Sequence, residues 1–426
     1  MKTFTTYRIY AIAMLFFGMI AINVQGQELD LEDIIEVELD YGSKDARIET
    51  HVYLNSALWN FEDQFLGKFA NEGGSMSGYP LFINYSGYVS ISGYISRTLF
   101  AEAEFELYKG QKGEFKVTRL RAVWSPNENF RMTLGRDFPA IGLQDKVYYP
   151  TSQYRLFAIA PYAYYQILRA TGWWDAGIHL HGVLPIGDDM KLIGDISLIN
   201  GPGDQHKGDH YLEGVMKPNS QGYMFENFHS NARQPWDNNK SKNIAARLAF
   251  SPIENLEFGA SYMTGKYDVD DKYNAEYIFG HLLYGGDRLT IACEYSQLAV
   301  QVPDSNFYGP GVNGGFFDDT DPNNIIAVDN PNALDAEVTQ YSWYVSGGYK
   351  FFQDTKINYL EPVVRYEVMD SWKADAMNRG DRSAFWVGFR FSPQKHWVFK
   401  GAYLVQTETY QDLANDGFVL EMVVDF

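Results

Sequence analysis

The chain has 426 residues, with 54 Asp and Glu against 35 Lys and Arg, a net charge of −19, and 16% aromatic residues. So acidic a balance excludes nucleic acid as a partner, because phosphate binding rests on Lys and Arg. The single cysteine, Cys293, excludes an intrachain disulfide framework and any CxxC-type metal or redox site.

Lys2 and Arg8 precede an apolar run from Ile9 to Ile22, and Val24-Gln25-Gly26 follows. This is the pattern of a secretory signal peptide over residues 1–26, cut after Gly26. No cysteine stands at the cut, so a lipoprotein leader is excluded. Residues 27–46 then read as a short periplasmic segment. No later apolar run is long enough for a membrane-spanning helix. The mature chain is therefore secreted, periplasmic or a β-barrel.

Periodicity separates these. Phe418, Leu420, Met422, Val424 and Phe426 alternate with Val419, Glu421, Val423 and Asp425. Leu99, Ala101, Ala103, Phe105 and Leu107 alternate with Glu102, Glu104 and Glu106; Phe130, Met132 and Leu134 alternate with Arg131 and Thr133. Ile244, Ala246, Leu248 and Phe250 frame Arg247, and Phe385, Val387, Phe389 and Phe391 frame Arg390. These runs are about 10–13 residues long, which suits a tilted bilayer crossing and exceeds the usual strand of a soluble sandwich.

Sixteen such segments are predicted, near 47–59, 81–95, 98–109, 114–125, 128–137, 172–185, 189–200, 242–251, 255–265, 273–284, 287–298, 338–351, 355–369, 381–392, 395–406 and 416–426. Links after even-numbered segments are short. Links after odd-numbered ones are longer, the short stretch 109–113 excepted. Short turns on one side and long loops on the other characterise outer-membrane barrels, and an even count puts both termini on the periplasmic side. The expected fold is an all-β transmembrane antiparallel barrel over 47–426. An aromatic-Ser-Pro repeat supports the phase: Trp124-Ser125-Pro126 leads to Phe130, Phe250-Ser251-Pro252 to Leu256, and Phe391-Ser392-Pro393 to Trp397. Proline suits the turn and the large apolar residues suit an interfacial girdle.

The link 138–171 carries Arg155 and Arg169 among Tyr148, Tyr149, Tyr154, Tyr162, Tyr164 and Tyr165. A loop this aromatic is poorly solvated outside; packed within the barrel it would constrict a channel by size and charge. Gly135-Arg136-Asp137-Phe138-Pro139, followed by Gly142-Leu143, resembles the glycine–basic–Pro–Gly stretch of the phosphate-selective porin O/P family, with Pro139 one position early. Gly177, Gly182 and Ile199-Asn200-Gly201-Pro202-Gly203 are similar too. The resemblance implies an outer-membrane channel of a Gram-negative bacterium, a homotrimer, passing anions or other small solutes and embedded in outer-membrane lipid.

Alternation turns Arg119, Arg121, Arg131, Arg247, Arg365, Arg390 and Lys400 to the lumen, with Glu102, Glu104, Glu106, Glu257, Glu294, Glu367 and Glu421. The two sets balance, and Glu102, Glu104 and Glu106 stand one hairpin from Arg119 and Arg121, where cross-strand neutralisation is expected. The candidate pore-lining residues are Arg119, Arg121, Arg131, Arg136, Arg155 and Arg169, together with Glu102, Glu104 and Glu106. A local basic cluster would attract anions; paired charges would line a wetted wall. Both readings stand at this point.

His179 and His181 share a strand face with Asp175, short of a metal ligand set. Asp319, Asp321 and Asn323 open like a calcium loop, but Asn324 and Asn330 replace its glycine and glutamate. The acidic link 299–337 reads as a solvated surface loop. No catalytic motif occurs, and no cofactor, metal or enzymatic activity is expected. The alternatives to a porin are a secreted soluble β protein that binds glycans and, behind it, a barrel lipid hydrolase.

Overall fold

The computed structural model describes residues 47–61, 81–108, 114–147, 149–161, 173–204, 217–219, 222–224, 228–230, 240–267, 271–302, 315–318, 321–327, 336–353, 357–370, 382–408 and 416–425. The signal peptide, the segment 27–46, Arg169, Tyr148, Tyr162, Tyr164, Tyr165, Phe426 and much of the acidic link lie outside them.

Sixteen antiparallel strands close into one barrel. In chain order they are β1 (Arg47–Phe61), β2 (Leu81–Ser96), β3 (Leu99–Tyr108), β4 (Glu114–Asn127), β5 (Phe130–Asp137), β6 (Asp175–Ile186), β7 (Met190–Ile199) and β8 (Asn243–Ile253). They continue as β9 (Leu256–Lys266), β10 (Asn274–Gly285), β11 (Leu289–Val302), β12 (Ala336–Tyr349), β13 (Tyr359–Asp370), β14 (Arg382–Ser392), β15 (Trp397–Glu408) and β16 (Gly417–Asp425). Each strand pairs with its sequence neighbours, and β1 closes on β16 from Tyr53↔Asp425 to Phe61↔Gly417. Closure leaves no unpaired edge, which a lipid environment requires. Three two-stranded sheets lie in the links between β7 and β8 and between β11 and β12.

The faces are inverted relative to a soluble protein. Leu54 on β1, Leu120 on β4, Leu248 on β8, Ile278 on β10, Val364 on β13 and Leu420 on β16 are exposed, Leu120 to 61% and Leu248 to 59%. Their neighbours on the other face include buried Glu102, Glu104, Arg247, Glu294, Glu367, Arg390 and Lys400. An apolar outer surface around a charged interior is the burial pattern of a lipid-embedded barrel.

At the short turns the aromatic residue of each repeat meets another ring. Trp124 meets Phe130 at 6.2 Å, Phe250 packs on Phe258 at 5.5 Å and Phe391 on Phe399 at 6.3 Å. The reason is register: Phe250 faces Phe258 and Phe391 faces Phe399 directly across their hairpins.

Two glycines of the Gly135–Leu143 stretch are required by geometry. Gly135 has φ +126°, and a Cβ there would stand 2.3 Å from the Leu120 carbonyl oxygen. Gly142 has φ +56°, and a Cβ there would stand 2.5 Å from Glu294 Oε1. Both conformations disfavour any side chain.

Two outcomes test this architecture. Leu248→Arg puts a charge on the outward face of a central strand segment and should lower folding stability in lipid by about 2–4 kcal/mol. Gly135→Ala should cost roughly 1–3 kcal/mol. Urea titration of the barrel folded in vesicles, followed by tryptophan fluorescence, measures both.

Candidate functional site

The described residues of the link between β5 and β6 pack against inward-facing side chains of the barrel wall. Beyond β5 its backbone amides take inward-facing acceptors from successive alternate strands. Ala140 N donates to Ser197 Oγ on β7 at 3.1 Å, Gly142 N to Ser261 Oγ on β9 at 2.9 Å, and Leu143 N to Glu294 Oε1 on β11 at 2.8 Å. A single helical turn, α1 (Gln144–Val147), follows. The Gln144 side chain ties the two limbs of the link, accepting from Trp173 N and donating to the Pro139 carbonyl. Ile141, Leu143, Val147 and Trp173 bury against inward apolar residues such as Tyr277 and Phe279 on β10.

The chain then reaches the opposite wall. Tyr149 donates its hydroxyl to Glu104 on β3 at 2.8 Å, and its ring meets Tyr53 on β1 edge-on at 5.7 Å. Burial first, with the facing Glu104 carboxylate and against the Arg119 charge, holds the Tyr149 hydroxyl well above its usual pKa, so it stays a donor. Leu156, Phe157, Ala158 and Ile159 continue along β13–β16 and bury against Val363, Trp386, Leu404 and Val419.

A cavity of about 390 Å³ lies between this link and the β4–β8 wall. Arg119, Arg121, Arg131, Arg247 and Lys146 line it, with Asp137, Asp145 and Asp195. Asp137 sits between two guanidiniums, pairing with Arg121 Nη1 and, at 3.3 Å, with Arg119 Nε. Glu102 faces Arg121 and Glu104 faces Arg119 across β3 and β4, with Arg121 Nε donating to Glu102 at 2.7 Å. A bulge at this register lets Thr118 also donate to Glu104. Arg119 lies over the rings of Phe138 and Tyr149, at 4.9 and 5.1 Å. Arg247 pairs with Asp195 at 2.9 Å and Asp145 at 3.7 Å. Arg131 makes no ion pair with a described residue and is exposed.

The candidate residues therefore separate. Arg119, Arg121 and Arg131 line the cavity; Glu102 and Glu104 stand behind Arg121 and Arg119 and do not. Glu106 accepts from the Tyr88 hydroxyl at 2.7 Å, away from the cavity. Arg155 is buried in the link, where its Nη2 donates to the Ala158 carbonyl. Arg136 is the correction: it stands opposite the outward Leu120 and Ala176, on the outer side of β5, and not in the pore. The alternation Phe130, Met132, Leu134 already carried that parity. Arg169 lies outside the described residues. Arg247, Lys146, Asp137 and Asp195 join the site. The parity of their strands signals three of them, and only the path of the link brings Lys146 in.

His181 Nδ1 contacts Asp195 at 2.7 Å and His179 Nδ1 contacts Ser197 Oγ at 3.0 Å. No three metal-ligating side chains converge among the described residues. The Ser197–His179 contact is not a hydrolytic pair in this geometry. Ser197 is 1% exposed, its oxygen already accepts the Ala140 amide, and the Asp137 carboxylate is engaged by Arg119 and Arg121.

No protein-family profile and no curated protein sequence matches the chain. The likeness to the O/P porins thus rests on residues 135–203 and the strand layout. Solved structures do match. An anion-selective porin from Comamonas acidovorans is 10% identical, over 90% of this chain and 100% of that one, with a TM-score of 0.55. The outer-membrane channel DcaP of Acinetobacter baumannii is 10% identical over 90% and 98%, with a TM-score of 0.53. Salmonella typhi OmpF, in a complex with daunomycin, is 12% identical over 89% and 98%, also at 0.53. At these identities the likeness is one of fold. With closed pairing, an apolar exterior and a charged interior, it makes the chain a sixteen-stranded transmembrane β-barrel of the outer-membrane porin fold.

Proposed function

We propose that the protein is an outer-membrane porin for passive diffusion of small hydrophilic solutes, that the link 138–171 constricts it, and that it prefers anions, phosphate among them. One observation carries the preference: five basic side chains meet three carboxylates on the cavity wall between the link and β4–β8. The chain as a whole is strongly acidic, so this local excess opposes the global charge. A passing solute meets guanidinium groups first, because Glu102 and Glu104 sit behind them. Such a field, focused between low-dielectric walls, concentrates anions and disfavours cations.

The anion selectivity named for the Comamonas protein is in keeping with this reading. The homotrimer rests on the resemblance to the O/P porins, and conductance rising in multiples of three is its readout. The soluble glycan-binding alternative fits poorly with Leu120, Leu248, Val364 and Leu420 standing exposed on strands around the barrel. The hydrolase alternative lacks an accessible nucleophile at Ser197.

Reversal potentials in a potassium chloride gradient across a planar bilayer test the reading. The wild type should favour chloride, and added phosphate should compete with chloride current. Arg131→Gln and Arg247→Gln should each shift the reversal potential toward cations, the former without breaking an ion pair to a described residue. Asp137→Asn should shift it the other way, by leaving Arg119 and Arg121 less neutralised. Cation selectivity in the wild type would overturn the anion preference.

A further inference from the structure

The basic residues of β13, β14 and β15 face the lumen but do not touch the cavity. Glu361, Arg390, Lys400 and Glu421 form one continuous row across β13, β14, β15 and β16, each directly opposite the next in register. The order is acid, base, base, acid. The outer pairs close as ion pairs, Arg390–Glu361 at 3.1 Å and Lys400–Glu421 at 2.9 Å. All four side chains are 3% exposed or less.

Each base has a second partner on the link. Lys400 Nζ donates to the Pro150 carbonyl at 2.6 Å, and Arg390 Nη1 donates to the Gln153 carbonyl at 3.0 Å. Four residues beyond Glu361 on β13, Arg365 pairs with Glu367 at 3.2 Å and donates to the Ile159 carbonyl at 2.9 Å. Its guanidinium also lies over Phe157 of the link and Trp386 of β14, at 4.8 and 4.6 Å. Three cations on three adjacent strands thus hold three carbonyls within ten residues of backbone. Pro150 and Ile159 are buried and Gln153 is exposed; for the two buried carbonyls a charged donor is the strongest group able to satisfy them.

We propose that Arg365, Arg390 and Lys400 are positioning residues: they latch residues 150–159 to the β13–β16 wall, and this latch sets the width of the channel on the β4–β8 side. The inference rests on the channel reading and deepens it. The latch withholds three cations from the solute. Selectivity belongs to the cavity arginines, and constancy of the opening belongs to the latch. The row is internally neutral, so it can be removed in matched pairs without leaving a lone buried charge.

The test compares Lys400→Met/Glu421→Leu and Arg390→Met/Glu361→Leu with wild type in planar bilayers. A second readout places Ile159→Cys in a Cys293→Ser background and follows its labelling by a water-soluble maleimide. Folding of each variant is checked by its heat-dependent mobility on a detergent gel. The expected result is loss of the single steady conductance level, replaced by several interconverting levels, with faster labelling at 159. Arg390→Lys, which keeps a charged donor, should retain the steady level. Folded paired variants that keep one wild-type level and slow labelling overturn the latch while leaving the channel reading intact. A wild type that passes no current overturns the channel reading, and the labelling rates then decide the latch alone. Should a paired variant not fold, Arg365→Met/Glu367→Gln, which removes the charged donor and its partner's charge together, takes its place with the same labelling, unchanged labelling counting against the latch.

Discussion

Everything in this molecule depends on closing the hydrogen-bonded sheet. In hydrocarbon an unpaired amide or carbonyl costs several kcal/mol, and pairing β1 with β16 removes the last open edge. Closure then sorts the side chains. A period of two sends one set to lipid and the other inward, so Leu120 and Arg121, adjacent in sequence, live in opposite solvents. The same sheet that excludes water from its outer face must satisfy Arg, Glu and Asp within.

The second constraint is that the link between β5 and β6 brings its own backbone into that interior. Its amides and carbonyls need partners, and the inner wall supplies them in two chemistries. On the β7–β11 side, Ser197, Ser261 and Glu294 accept from backbone amides. On the β13–β15 side, Arg365, Arg390 and Lys400 donate to backbone carbonyls. Acceptors and donors thus occupy separate arcs of the barrel. Apolar contacts fill in beneath them, Phe279 on one arc and Trp386 on the other.

What remains between the link and β4–β8 is a polar cavity whose charges are chained rather than scattered. Glu102, Arg121, Asp137 and Arg119 run in sequence across three strands. Each carboxylate holds a guanidinium in place, so the fixed field is built from pairs and its sign comes from which partner stands in front.

The sequence by itself determined the strands, their number and their two faces. A run such as Phe385–Phe391 must alternate to place one side in lipid, and lipid tolerates no other pattern. It also determined that Glu102 and Arg121 share a face, because parity survives any uncertainty in strand ends. It held the parity of Arg136 as well, although the residue reads as pore-lining when grouped with its basic neighbours. Only the tertiary structure decided what each inward charge does. Arg131 and Lys400 are alike in parity, yet one lines the cavity and the other is sealed under Pro150. That difference follows the route of a link whose partners lie up to 250 residues away in sequence. Period and spacing are local, whereas register across a closed sheet and the path of a loop through it are set by contacts that exist only once the barrel has formed.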